Sequence, residues 1–83
     1  THYAVAIRYG DDDYAPMVVA KGTDQLALRI RAEARKHSVP IIENRPLARG
    51  LYAEIELGHP IGVEHYVAVA EVLAFVFRLR GKR

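Results

Sequence analysis

Met17-Val18-Val19-Ala20-Lys21-Gly22-Thr23-Asp24 carries the chain from a strand into a helix, and that passage decides the fold class. Met17 to Lys21 is a short apolar run with a β-branched pair, the composition of a strand. Val18-Val19 is too apolar for a surface edge, so the run is expected inside a sheet. Pro16 is tolerated at the first position of such a strand. Gly22-Thr23-Asp24 then opens a helix. Thr23 can accept from the first free amides, and Asp24 complements the positive end of the dipole. Leu26, Ile30 and Ala34 recur at a spacing of four, with Ala27 beside them, giving an apolar stripe. Arg29, Arg31, Arg35 and Lys36 fall on other faces or in the last turns. Ser38-Val39-Pro40 ends the helix.

Outward from this stretch, Tyr3 to Tyr9 reads as a strand that stops at the polar turn Gly10-Asp11-Asp12-Asp13. Ile41-Ile42-Glu43 reads as a third strand. Asn44 and Pro46 start a short helix from Pro46 to Glu54, with Leu47, Leu51 and Ile55 at a spacing of four. Gly58-His59-Pro60 interrupts it. The last helix is expected from Val63 to Leu79 and is apolar on nearly every side, as a helix is when it is enclosed or has a second face for a partner. The order strand, strand, helix, strand, helix, helix predicts an α/β (α+β) domain. Its centre is a small sheet of about four strands covered by helices. If the second and third strands are parallel neighbours, the helix between them makes a right-handed crossover.

Residues 1–83 make one small domain. A chain this short has trouble enclosing a whole apolar helix. There is no cysteine, which excludes disulfides, thiolate metal sites and cysteine nucleophiles. Twelve basic and ten acidic residues leave a net charge of +2, too balanced to argue for nucleic acid. The longest apolar run, Tyr66 to Phe77, is interrupted by Glu71 and falls short of the ~20 residues that span a membrane.

Little catalytic chemistry stands out. His2, His37, His59 and His65 fall in four different elements without metal-ligand spacing, so neither a metal nor a cofactor is expected. Ser38, the sole serine, sits at a helix end and makes no triad. Asp11-Asp12-Asp13 lacks a calcium-loop frame and reads as a solubilising turn. Glu54 and Glu56 read as a solvated face. Arg78, Arg80, Lys82 and Arg83 form a basic tail that offsets the helix dipole.

Five motifs nevertheless follow one another in register. They are Thr1-His2-Tyr3-Ala4-Val5-Ala6, Pro16-x-Val18-Val19-Ala20-Lys21-Gly22, Val39-Pro40, Pro46-Leu47-Ala48-Arg49-x-Leu51-Tyr52, and Ala68-Val69-Ala70-Glu71-Val72-Leu73-Ala74. In this order they resemble the cytoplasmic domain of the FlhB/YscU-type export-gate switch proteins of bacterial type III secretion, over essentially the whole chain. Gly58-His59-Pro60-Ile61-Gly62 departs from that family's Gly-x-x-Ile-Pro order.

The resemblance implies a domain on the cytoplasmic face of the bacterial inner membrane, tethered by an N-terminal membrane part. It implies self-cleavage between the Asn and Pro of an Asn-Pro-Thr-His motif, whose last two residues match Thr1 and His2. The chain then corresponds to the downstream cleavage product, and the upstream piece stays associated and completes the first strand. Such a reaction is a single intramolecular turnover without an external substrate, so no enzyme activity in the usual sense is expected. His2 either polarises the scissile carbonyl or protonates the leaving nitrogen, or it holds the turn. The implied partners are the upstream fragment, other export-gate components and exported substrate proteins, and no nucleic acid. Ala15, Pro16, Ala70 and Leu73 are expected to line a shallow apolar groove that receives cargo. The alternative is an unrelated small α/β binding domain, for example an RNA-binding one using Arg29, Arg31, Arg35 and the basic tail.

Overall fold

The computed structural model describes residues 2–81. Tyr3–Arg8 (β1) and Met17–Thr23 (β2) form an antiparallel hairpin. Tyr3 pairs with Thr23 and Ala6 with Ala20, after which the register slips so that Ile7 pairs with Val18. Val19 is the residue in excess, a β-bulge that sharpens the local twist. Val18 is fully buried, whereas Val19 is 41% exposed. The β-branched pair is thus divided between two faces and is not buried as a unit.

Among the described residues the sheet has two strands, not about four. Ile41, Ile42 and Glu43 are irregular chain between helices. Their strand propensity finds no neighbouring strand to pair with, and propensity without a partner does not make a ladder. With no third strand there is no parallel crossover. β2 does not lie between two strands either, and a loop does the covering. Val18 donates to the His59 carbonyl at 2.9 Å and accepts from the Gly58 amide at 2.7 Å. The Ile61 amide reaches the Pro16 carbonyl at 3.0 Å. Gly58 makes this return possible with a φ of +83°, which a Cβ would oppose.

Helix α1 spans Asp24–Lys36. Its buried stripe is Ala27 with Ile30, Arg31 and Ala34 half-buried behind it, while Leu26 is half-exposed. Leu26 instead lies over Gly22, where a Cβ would collide with it. Thr23 makes no side-chain capping bond, contrary to the expectation for it. The helix ends with Ser38 at φ +59°. Ser38 donates to Arg35 at 3.2 Å and Val39 to Ala34 at 2.8 Å, the paired bonds of a Schellman stop.

Helix α2 spans Arg45–Glu54. Asn44 caps it by accepting from the Leu47 amide at 3.2 Å, and Pro46 sits in the first turn, where its missing N–H costs nothing. A single 3-10 turn, Val63–His65, leads into α3, Tyr66–Gly81. Leu51 and Ile55 from α2, Val69 from α3, Val18 and Ile61 make the core. Val5, Ile7, Leu47 and Leu73 pack against its edge. The outer face of α3 leaves Val67, Phe75, Phe77 and Leu79 exposed, as an apolar-all-round helix must on a domain this small.

Candidate functional site

The turn between β1 and β2 is built around Asp13. Arg8 donates Nε to Asp13 Oδ2 at 3.0 Å and Nη2 to Oδ1 at 3.1 Å, a fork-on-fork pair. The Gly10 amide donates to the same carboxylate at 2.8 Å. The Arg8 hydrogen bonds, then that of Gly10, hold the Asp13 carboxyl below its ordinary range, and Asp13 raises Arg8 in return. Of the acidic run, then, Asp13 is a structural acceptor and not only a solubilising charge. It fixes the path of the chain into Tyr14, Ala15 and Pro16.

Those residues form one wall of a concavity of about 270 Å³. Ala15 and Pro16 from the turn meet Ala70 and Leu73 from α3 across it, with Ile61 buried between them. All four residues expected to line a groove are therefore brought together, from segments more than fifty positions apart in the chain. Tyr9, Tyr14 and Tyr66 edge the same concavity and were not anticipated. Their signal was present, since Tyr14 adjoins Ala15 and Tyr66 lies one helical turn before Ala70. The groove is smaller than the roughly 300–1,000 Å³ of small-molecule sites. Its lining is largely apolar and aromatic, so it suits one or two apolar side chains of a peptide.

A second and larger cavity, about 540 Å³, lies on the other side of β1. Its lining runs from His2 to Ile7 on one side and from Val39 to Arg45 on the other. Among the described residues β1 pairs with β2 alone, so its other edge leaves backbone donors and acceptors unpaired beside this space. Leu73 borders both cavities.

His2, at the start of β1, is exposed, and its backbone is tied to Asp24 by two hydrogen bonds. Thr1, Lys82 and Arg83 lie outside the described residues. His65 is paired with Glu54 at 2.7 Å. Glu54, Glu64 and His65 have ligand-type atoms within 4.8 Å of one another, but the short Glu54–His65 bond makes this a tie between α2 and the turn before α3. His37 pairs with Glu33 at 3.0 Å within α1. Arg31 pairs with Glu43 at 3.2 Å, which reduces the free positive charge on α1. No helix among the described residues is long and apolar enough to cross a membrane.

The model of the family described as FlhB, HrpN, YscU and SpaS matches residues 1–76. The chain belongs to this family. The flagellar biosynthetic protein FlhB of Bacillus subtilis is 46% identical over 83 residues, covering 99% of this chain and 23% of that protein. The hypersensitivity response secretion protein HrcU of Ralstonia nicotianae is 49% identical over 77 residues, covering 92% of this chain and 21% of that protein. The crystal structure of the cytoplasmic domain of FlhB from Shewanella putrefaciens superposes with a TM-score of 0.89 at 43% identity. The match covers 98% of this chain and 66% of that one. The chain thus spans about a fifth of the length of the curated relatives it matches. Membership in the FlhB/YscU family settles the α/β fold class and groups the chain with relatives described as flagellar biosynthetic and hypersensitivity response secretion proteins. The reading as an unrelated domain falls with it.

Proposed function

We propose that this chain is the cytoplasmic switch domain of a bacterial type III export apparatus, and that it docks segments of exported proteins in the groove between the β1–β2 turn and α3. The observation that carries the reading is the meeting of Ala15, Pro16, Ala70 and Leu73 around one apolar concavity. Small residues keep its walls low, Pro16 offers no amide to water, and the tyrosines supply amphipathic edges. An apolar segment of an unfolded cargo chain can lay a side chain there without the domain rearranging.

The same reading includes self-cleavage upstream of Thr1. The asparagine side-chain nitrogen attacks its own backbone carbonyl carbon, and a C–N bond closes a succinimide ring. The bond from that carbon to the proline nitrogen breaks, and the proline nitrogen takes up the proton that the amide loses. Water later opens the ring. Such a step needs alignment above all. The upstream piece then lies as a strand along the unpaired edge of β1, in the cavity of about 540 Å³ that faces Val39 to Arg45. This would supply the strand that Ile41 and Ile42 lack. The domain sits on the cytoplasmic face of the inner membrane, held there by the rest of the protein and by other export-gate components.

The test is capture of early cargo by the full-length protein carrying Pro16→Asp or Ala70→Asp. Both variants should stay folded and lose the cargo. Retention of cargo by either folded variant would remove the groove from the reading. For cleavage, replacing the upstream asparagine by alanine should leave one band on a denaturing gel where the parent gives two. Two bands from the alanine variant would point to a protease instead.

A further inference from the structure

Asp24 has a backbone φ of +49°, in the left-handed region, at the junction of β2 and α1. Aspartate tolerates that region better than most residues, but the conformation persists only where its surroundings hold it. What holds it here is His2. The Asp24 amide donates to the His2 carbonyl at 3.0 Å. The His2 amide donates to Asp24 Oδ1 at 3.3 Å. The last ladder pair is Tyr3 with Thr23. An ordinary entry into α1 would turn the chain away at that point and leave both backbone groups of His2 to water. Extended Thr23 instead carries the ladder one step further, to the Asp24 amide, and the positive φ of Asp24 then lets the chain enter α1 while its carboxylate reaches the His2 amide. Thr23, the residue between the ladder and α1, makes no side-chain capping bond.

We infer that Asp24 is a positioning residue for self-cleavage, acting by clamping the backbone of His2. The inference rests on the cleavage reading, in which the scissile bond precedes the proline next to Thr1. Asp24 touches none of the reacting atoms. It fixes the direction in which the chain leaves β1, and so the fraction of time the upstream turn spends in a conformation that can cyclise. The left-handed backbone and the Asp24 amide are the working parts, and the carboxylate adds the second bond.

The experiment follows cleavage of the newly synthesised full-length protein on denaturing gels, beside its thermal melting. Asp24→Asn and Asp24→Gly keep the amide and accept a positive φ, and both should cleave within about twofold of the parent. Asp24→Pro has no amide and a φ fixed near −65°, though proline suits the first turn of a helix. It should slow cleavage by about tenfold or more. Asp24→Val keeps the amide but resists the left-handed region, and it should slow cleavage several-fold even if the proline variant does not fold. Ile55→Ala, a core truncation at the end of α2, controls for stability and should cleave as the parent does. Parental rates in folded Asp24→Pro and Asp24→Val would overturn the inference, as would equal slowing by Ile55→Ala at a matched loss of melting temperature. A parent that stays intact would overturn the cleavage reading itself, and this inference with it.

Discussion

Lys21 closes the C-terminal end of α2 from the neighbouring strand, its Nζ donating to the Ile55 carbonyl at 2.8 Å. A second bond from the same nitrogen reaches the Tyr52 carbonyl at 3.0 Å, and the ammonium lies 5.2 Å from the Tyr52 ring centre. Tyr52 in turn meets the Tyr3 ring at 5.4 Å, so one cation binds the hairpin to the helix. Helix ends present carbonyls that α-helical bonding leaves open, and a cation there answers both the dipole and the hydrogen-bond deficit. Lys21→Met keeps most of the stem and removes both bonds. It should cost about 2 kcal/mol, the scale of a hydrogen bond to a charged group. Urea unfolding checks this through a lower midpoint with an unchanged slope.

Val5 packs against the edge of the core formed by Val18, Leu51, Ile55, Ile61 and Val69. It lies opposite Lys21 in the hairpin register. A carboxylate at that position would lose water without gaining a designed partner, except by disturbing Lys21. Val5→Asp should therefore destabilise the domain by several kcal/mol, roughly 3 or more. A melting temperature equal to the parent's would contradict the placement of β1.

The Asp13 carboxyl lies below its ordinary pKa because the folded chain surrounds its charged form with Arg8 and the Gly10 amide. A group depressed on folding stabilises the fold above its unfolded pKa, and that stabilisation is lost as pH falls through the folded value. Stability should therefore decline on acidification from about pH 4 downward. Asp13→Asn should flatten this acid limb while leaving the slope near neutrality unchanged. Denaturant midpoints across the pH series give the comparison, and an identical acid limb in the variant would refute the role of Asp13.

The legibility of this chain follows physical range. α2 was readable because its signals are local: Asn44 caps, Pro46 sits in the first turn, and Leu47 and Leu51 repeat at helical spacing. The helix stop at Ser38-Val39-Pro40 and the strand at Tyr3–Arg8 are readable for the same reason. Ile41 to Glu43 misled because strand propensity is local but pairing is not, and the residue run says nothing about whether a neighbour is there. The Thr23-Asp24 junction misled for a related cause. Capping residues were assigned to their own helix, when Asp24 answers to His2, twenty-two positions away. Ala15, Pro16, Ala70 and Leu73 follow as candidates from the family resemblance, and the tyrosines beside them emerge only where the hairpin turn and α3 meet. The Glu54–His65 bond likewise depends on how α2 and the 3-10 turn pack, which no spacing encodes.

Gly50 and His65 are coupled across that packing. Gly50 lies inside α2, where glycine is a poor choice by about 1 kcal/mol relative to alanine. A Cβ at this position would stand 3.1 Å from His65 Cε1, tighter than an ordinary contact. The imidazole has little room to yield, because its Nε2 is bonded to Glu54 at 2.7 Å and its side chain is only 13% exposed. The glycine therefore makes space for the histidine, and the two substitutions should not add. Gly50→Ala alone should leave stability nearly unchanged, since gained helix propensity is offset by displacing His65. In the background of His65→Ala the same change should stabilise by about 1 kcal/mol. A double-mutant cycle in urea measures the difference. Equal effects of Gly50→Ala in both backgrounds would mean that the ring moves aside freely, and that the Glu54–His65 bond does not hold it.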